Sequence, residues 1–216
     1  MINNIKALAI CDKGIEEVVK IELNELIHLK TDMKIDERAV IFSPKSYDDL
    51  FKFCYLTQSS ERILLLFDKI NFKDYEDLIH KLIQSLKKKH SMLKDWFEKD
   101  TEFRVECKRV GEHDFTSHVV EKDFGAKVFD ELAKVFGVEP KVNLENPNII
   151  IYVFSSDNKA YYGIDLIGRD LSKRQYRIFA HAADINSCIA FSISKLTGYL
   201  KNIMNSLIFT QKITLF

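Results

Sequence analysis

The chain is poor in the residues that punctuate or cross-link a fold. It has 7 glycines, 3 prolines and a single tryptophan in 216 residues. Collagen-like, Gly/Pro-rich and low-complexity classes are therefore excluded. Its cysteines, Cys11, Cys54, Cys107 and Cys188, stand more than forty positions apart with no Cys-x-x-Cys pair. That spacing argues against a zinc ribbon or a dense disulfide framework, and it suits a reducing compartment. No apolar run approaches the roughly 18 residues of a membrane span. Met1-Ile-Asn-Asn-Ile-Lys6 lacks the charged-then-apolar order of a secretory signal, so a cytoplasmic protein is expected. Charge of neither sign prevails, with 32 basic and 32 acidic residues. Any nucleic-acid site must then come from a local cluster of cations and not from the whole molecule. What the chain does have is 46% hydrophobic and 12% aromatic residues, enough to build one large core or two small ones.

The hydrophobic pattern divides that material. Ile5–Cys11 has strand length, and Asp12-Lys-Gly14 turns it into a helix carrying Ile15, Val18, Val19, Leu23, Leu26 and Ile27. Glu16, Glu17, Lys20 and Glu22 are expected on its outer face. Strands follow around Lys30–Ile35 and Arg38–Phe42, joined at Asp36-Glu37. A helix from Ser46 to Thr57 then presents Leu50, Phe51, Phe53 and Cys54 to the interior, before a strand at Arg62–Phe67. The order β-α-β-β-α-β is the split-βαβ pattern of a ferredoxin-like domain over residues 1–72. A second unit is expected over 73–167. It opens with the helical stripe Leu78, Ile79, Leu82, Ile83 and Leu86 and the basic run Lys87–His90. The alternating strand Glu102–Val110 leads through Gly111–Phe115 into a helix capped by Thr116 or Ser117 and ended by Gly137. Strands at Lys141–Leu144, Asn148–Phe154 and Ala160–Leu166 complete it, and a further helix spans Asp184–Gly198. The class is α+β, two small domains in series.

Phe103-Arg-Val-Glu-Cys-Lys-Arg-Val-Gly-Glu-His-Asp-Phe-Thr-Ser117, with Gly125 and Val142-Asn-Leu-Glu-Asn-Pro147, resembles the signature of a THUMP domain. The N-terminal part, including Gly14-Ile-Glu-Glu17, is similar to the ferredoxin-like domain that precedes THUMP in RNA methyltransferases of archaeal type. Asp165–Arg177 and the helix ending Leu196-Thr-Gly-Tyr199 resemble the linker into their Rossmann-type catalytic domain. The resemblance implies an S-adenosylmethionine-dependent tRNA guanosine methyltransferase whose THUMP domain grips the acceptor 3′ end. It also implies motifs that this sequence lacks. After Gly198 there is no further glycine for a cofactor loop, and Pro44, Pro140 and Pro147 form no Asn/Asp-Pro-Pro pattern. Residues 168–216 are thus expected to be a linker and the start of an incomplete catalytic domain, through truncation, a degenerate frame or a catalytic partner in another chain. No catalytic residue, no bound cofactor and no metal is assigned. THUMP domains also accompany uridine-thiolation enzymes and stand-alone tRNA-binding adapters, and a protein-interaction module is the plainest alternative.

Phosphates along RNA are met by Arg and Lys converging from several segments. The candidates are Arg104, Lys108 and Arg109 on one strand, His113, Thr116 and Ser117 at the following helix start, and Arg169, Lys173, Arg174, Tyr176 and Arg177 in the linker. Arg104 and Lys108 share a parity and are expected to point away from Phe103, Val105 and Cys107. Tyr176 or Phe115 could stack a base. Against these stand plainer readings: a solvated strand face, a helix cap at Thr116–Ser117, structural histidines at His113 and His118, a solvated helix end at Lys87–Lys89, and a core position for Trp96. The apolar tail Leu200–Phe216 is expected to be disordered, to pack back on the second unit or to join a second chain as a homodimer.

Overall fold

The computed structural model describes residues 5–174 and 185–199. They form two compact units, one of residues up to Ile63 with the chain from Arg169 onward, the other Leu64–Gly168. No helix among the described residues is long and apolar enough to cross a membrane. Tyr176, Arg177 and the tail from Leu200 lie outside the described residues.

In the first unit the order is β1 (Ala7–Ile10), α1 (Glu16–Ile27), β2 (Met33–Asp36), β3 (Ala39–Phe42) and α2 (Tyr47–Leu56). β3 pairs antiparallel with both β1 and β2. β4 (Arg62–Asn71) opens here, just after the Glu61 N–H donates to the Ile10 carbonyl at 2.7 Å, and continues into the second unit. The strand order β2-β3-β1-β4 is that of the ferredoxin-like fold. Val18, Val19, Leu23 and Ile27 are buried along α1, as their helical spacing requires.

Three expectations shift. The pairing of Asp36 with Ala39 makes the turn Glu37-Arg38, one residue later than expected. Arg38 takes a left-handed φ of 64° there, with its N–H held by Glu16 Oε1 at 2.8 Å. Phe51 faces outward and stacks on Tyr47 across one helical turn, leaving Leu50 and Phe53 as the buried pair. Glu22 is not on the outer face of α1: it is 3% exposed. Its carboxylate accepts from Thr57 Oγ1, Gln58 N, Ser59 N and Ser59 Oγ, so buried donors of the α2–β4 loop offset its desolvation. On the same loop Arg174 Nη2 donates to the Thr57 and Gln58 carbonyls, and the Leu171 N–H to that of Glu61. The last described helix, α6 (Ser187–Leu196), joins this unit, and its Cys188 Sγ donates to the Ser60 carbonyl.

The second unit contains the rest of β4, then α3 (Tyr75–Lys87), α4 (His90–Trp96), β5 (Glu102–Val110) and α5 (Ser117–Phe136). β6 (Lys141–Val142), β7 (Ile149–Ser156) and β8 (Lys159–Asp165) complete it. Its strand order is β4-β8-β7-β5-β6. β8 runs antiparallel to β4 and β7, while β5 runs parallel to β7 and β6. The β5–α5–β7 segment is therefore a parallel crossover, and β7 reads as a continuous apolar run because both its faces are covered. β6 is two residues long, shorter than the expected Lys141–Leu144 strand. Gly163 of β8 lies against the bulge in β4, where an added Cβ would come within 2.0 Å of the Leu65 carbonyl oxygen. A buried relay, Tyr162 Oη to Ser85 Oγ (2.8 Å) and Ser85 Oγ to Asp68 Oδ2 (2.6 Å), ties β8, α3 and β4 together.

Candidate nucleic-acid interface

β5 delivers its cations to the loop that enters α5. Arg109 lies near the end of the strand, its guanidinium 5.6 Å from the centre of the Phe115 ring and its Nε buried without a hydrogen-bond partner among the described residues. Gly111 then takes φ +92°, and its missing side chain lets Asp157 approach, since a Cβ there would lie 2.6 Å from Asp157 Oδ1. His113 is pinned from two sides: Nε2 is 2.8 Å from the Asp157 carbonyl and 3.2 Å from Ser155 Oγ, and the ring stacks on Phe72. Thr116 caps α5 by accepting the Val119 N–H, and no acidic residue occupies the helix's first turn. α1, α2 and α3 each carry two acids in that turn. The positive end of the α5 dipole is thus unopposed from within that turn, and Glu112 and Asp114 stand in the loop before it. A cleft of about 720 Å³ opens beside this loop, where Lys73 and His113 face Asp74, Glu112, Asp114 and Asp157, so the cleft itself is not cationic.

The same geometry sorts the remaining candidates. Arg109, His113, Thr116 and Ser117 come together around the loop, and Lys108 precedes them on β5. Arg104 is engaged: Nη1 donates to the Leu144 carbonyl at 2.6 Å and Nη2 pairs with Glu106. Phe115 is buried among Phe72, Tyr75 and His113, so it supports the loop and has no face to offer a base. His118 is exposed, 3.6 Å from Glu121. Cys107 neighbours Ser117, and burial together with the Glu121 charge pushes its thiol up to about 12, which makes it a poor nucleophile. The linker cations belong to the other unit. Arg169 and Lys173 are exposed there, whereas Arg174 is committed to the carbonyls of Thr57 and Gln58. Phe72, Ser155 and Asp157, which hold His113 in place, were not among the expected residues. They lie some forty positions from His113 in sequence, and the one local signal was the lone Gly111 between strand and helix.

The THUMP domain family model matches residues 74–165, from the N-cap of α3 to the end of β8. Residues 74–165 form a THUMP domain. The β5–loop–α5 corner lies inside it. Among similar curated proteins is the tRNA (guanine(6)-N2)-methyltransferase of Archaeoglobus fulgidus, 36% identical over 104 residues, which are 48% of this chain and 26% of the relative. The tRNA (guanine(6)-N2)-methyltransferase of Methanocaldococcus jannaschii is 27% identical over 188 residues, 86% of this chain and 48% of the relative. Among solved structures, TrmN from Thermus thermophilus shares the fold with a TM-score of 0.61 at 24% identity, over 89% of this chain and 54% of that one. The chain thus spans about half or less of the curated relatives it matches. The ferredoxin-like unit and the THUMP domain are both within the region of fold similarity.

Proposed function

We propose that this chain is the RNA-binding region of a tRNA methyltransferase, with the THUMP domain holding the acceptor 3′ end of tRNA. The observation that carries the reading is a THUMP domain inside a chain similar, over 86% of its length, to a tRNA (guanine(6)-N2)-methyltransferase. The physical chemistry of the corner agrees. Lys108 and Arg109 bring charge to the loop, and the α5 N-terminus adds backbone N–H groups with no acid in the helix's own first turn. These are phosphate contacts: they position RNA without reading its sequence.

S-adenosylmethionine would supply the methyl group, and its carboxylate would need a free helix N-terminus or a backbone nest. At the strand–turn–helix of the first unit, the Gly14 N–H and the Arg38 N–H are both taken by Glu16. A carboxylate already fills the place an anionic ligand would need. Those residues do not fit the cofactor, and calorimetry on the chain should show no binding of S-adenosylmethionine.

The test of the RNA reading compares two charge reversals. Lys108→Glu with Arg109→Glu should weaken tRNA binding far more than Lys87→Glu with Lys88→Glu. It should also lower the salt slope by about one for each lost phosphate contact. Removing the 3′ CCA from the tRNA should weaken wild-type binding. Equal losses for both double variants would overturn the assignment and leave a diffuse charge effect.

A further inference from the structure

The outer edge of β5 is a feature that RNA binding does not use. β6 covers it over two residues, pairing Lys141 with Glu102 and Val142 with Phe103, while β7 takes the opposite edge from Phe103 to Val110. The carbonyls of Glu102 and Val110 accept from Asn148 and Asp157 on the β7 side, and that of Phe103 accepts from Asn143 on the β6 side. Backbone groups alternate along a strand, so those of Val105, Cys107 and Arg109 face the side where β6 has ended. Glu121 of α5 reaches over and accepts the Cys107 N–H at 2.9 Å.

Beside this edge a groove of about 770 Å³ runs between β5 and α5. Phe103, Val105, Gly125 and Phe129 line it, and Val142 and Leu144 stand at its mouth, 54% and 73% exposed. It holds two cations, Arg104 and Lys122, against three acids, Glu106, Glu121 and Asp130. Nucleic acid draws its affinity from net positive charge, which this apolar groove lacks, so it suits a protein ligand. Arg104 adds a polar hook: its Nε is buried and has no hydrogen-bond partner among the described residues.

We propose that the β5 edge and this groove dock an extended segment of a partner protein, one with β-branched apolar side chains at alternate positions. The segment adds as a strand beside β5, continuing the line that β6 begins. Its main chain pairs with Val105, Cys107 and Arg109, and one of its apolar side chains enters the groove against Phe103, Val105 and Phe129. A partner carbonyl gives Arg104 Nε its missing acceptor. Glu121 is the placeholder, satisfying the Cys107 N–H and putting a charge on the edge that discourages indiscriminate pairing. It is displaced when the strand arrives.

The experiment titrates a hexapeptide of alternating valine and threonine, flanked by lysines, into the isotopically labelled full chain. Shifts and slowed exchange are expected at the amides of Val105, Cys107 and Arg109, with none for a control peptide carrying proline at alternate positions. Gly125→Leu should weaken binding about tenfold by filling the groove, a loss on the scale of one apolar side chain. A Cβ at Gly125 lies 3.7 Å from Val105 Cγ2, an ordinary contact, so the first carbon of the new side chain meets no clash. If that variant melts early, Val142→Glu at the exposed mouth takes its place. Silence at the three amides with millimolar peptide, or full affinity in the groove variants, would overturn the proposal. So would tRNA shifting the same amides where the peptide does not.

Discussion

Replacing Glu22 with alanine should be among the most damaging single changes in the first unit. Its carboxylate accepts from Thr57 Oγ1 (2.9 Å), Gln58 N (3.0 Å), Ser59 N (2.9 Å) and Ser59 Oγ. The hydroxyls can turn elsewhere: Thr57 Oγ1 already has Ser60 Oγ at 3.1 Å. The two backbone N–H groups cannot, and each one left without an acceptor costs about 1–3 kcal/mol. The loss should therefore be about 3 kcal/mol, toward the upper end if no water enters the space left by the side chain. Glu22→Gln should lose roughly half as much, because its amide oxygen keeps two acceptor sites while its NH2 confronts donors. The assay is urea unfolding followed by two signals. Far-UV dichroism reports both units, whereas the fluorescence of Trp96, the single tryptophan, reports the second. The dichroism transition should split, its early part moving to lower urea by about 1 M or more at a slope of 1–3 kcal/mol/M. The reasoning fails if Glu22→Ala costs under about 1 kcal/mol, or if the Trp96 transition moves by the same amount.

Three further changes test other parts of the structure. Gly163→Ala puts a Cβ 2.0 Å from the Leu65 carbonyl oxygen and 3.1 Å from Leu66 Cα, both backbone atoms. It should cost about 3 kcal/mol or more, and an unchanged melting temperature would show that the β4 bulge yields freely. Thiol labelling at pH 8 should find one fast cysteine, Cys54. Burial pushes the thiols of Cys107 and Cys188 up to about 12 and raises that of Cys11 as well. A second fast thiol, or a fast phase surviving Cys54→Ser, would contradict this. Glu131 is buried, and its hydrogen bonds from Lys134 (2.7 Å) and then His90 (2.8 Å) hold its carboxyl below the ordinary 4.5. A depressed carboxyl stabilises the fold above its ordinary value and loses that contribution as pH falls through the lowered one. The melting difference between wild type and Glu131→Gln should thus shrink as pH falls below 4.5.

Where a side chain's role follows from periodicity alone, the sequence is a good guide to this fold. Val120, Phe124, Val128 and Leu132 recur at helical spacing and are buried along α5, and the alternation in Phe103–Cys107 marks β5 correctly. The element order of both units is likewise legible, because short strands and amphipathic helices carry their own signals. Polar residues inside the fold are different. Glu22 occupies an outward-looking slot on a helical wheel, and its partners come from a loop more than thirty positions away. Phe51 has the composition of a core residue but faces water beside Tyr47. At the candidate site the capping threonine and the cations were readable on β5 and at the start of α5. The Phe72–His113 stack and the Asp157 contact were not, since they depend on which strands become neighbours.

The first unit is discontinuous in the chain, interrupted between Ile63 and Arg169 by the whole of the second. On the ribosome this imposes an order. The second unit is contiguous and can close once Asp165 has emerged, with all of its strands in hand. The first has its early strands and helices long before, yet must wait for Leu171 to bond Glu61, for Arg174 to meet the Thr57 carbonyl and for Cys188 to reach Ser60. At about 5–20 residues per second the wait beyond Asp165 is on the order of seconds. Through that interval the α2–β4 loop has only the Glu22 side of its clamp, so nascent chains stalled with Gly168 just clear of the exit tunnel should show a protected second unit beside a first unit open to protease.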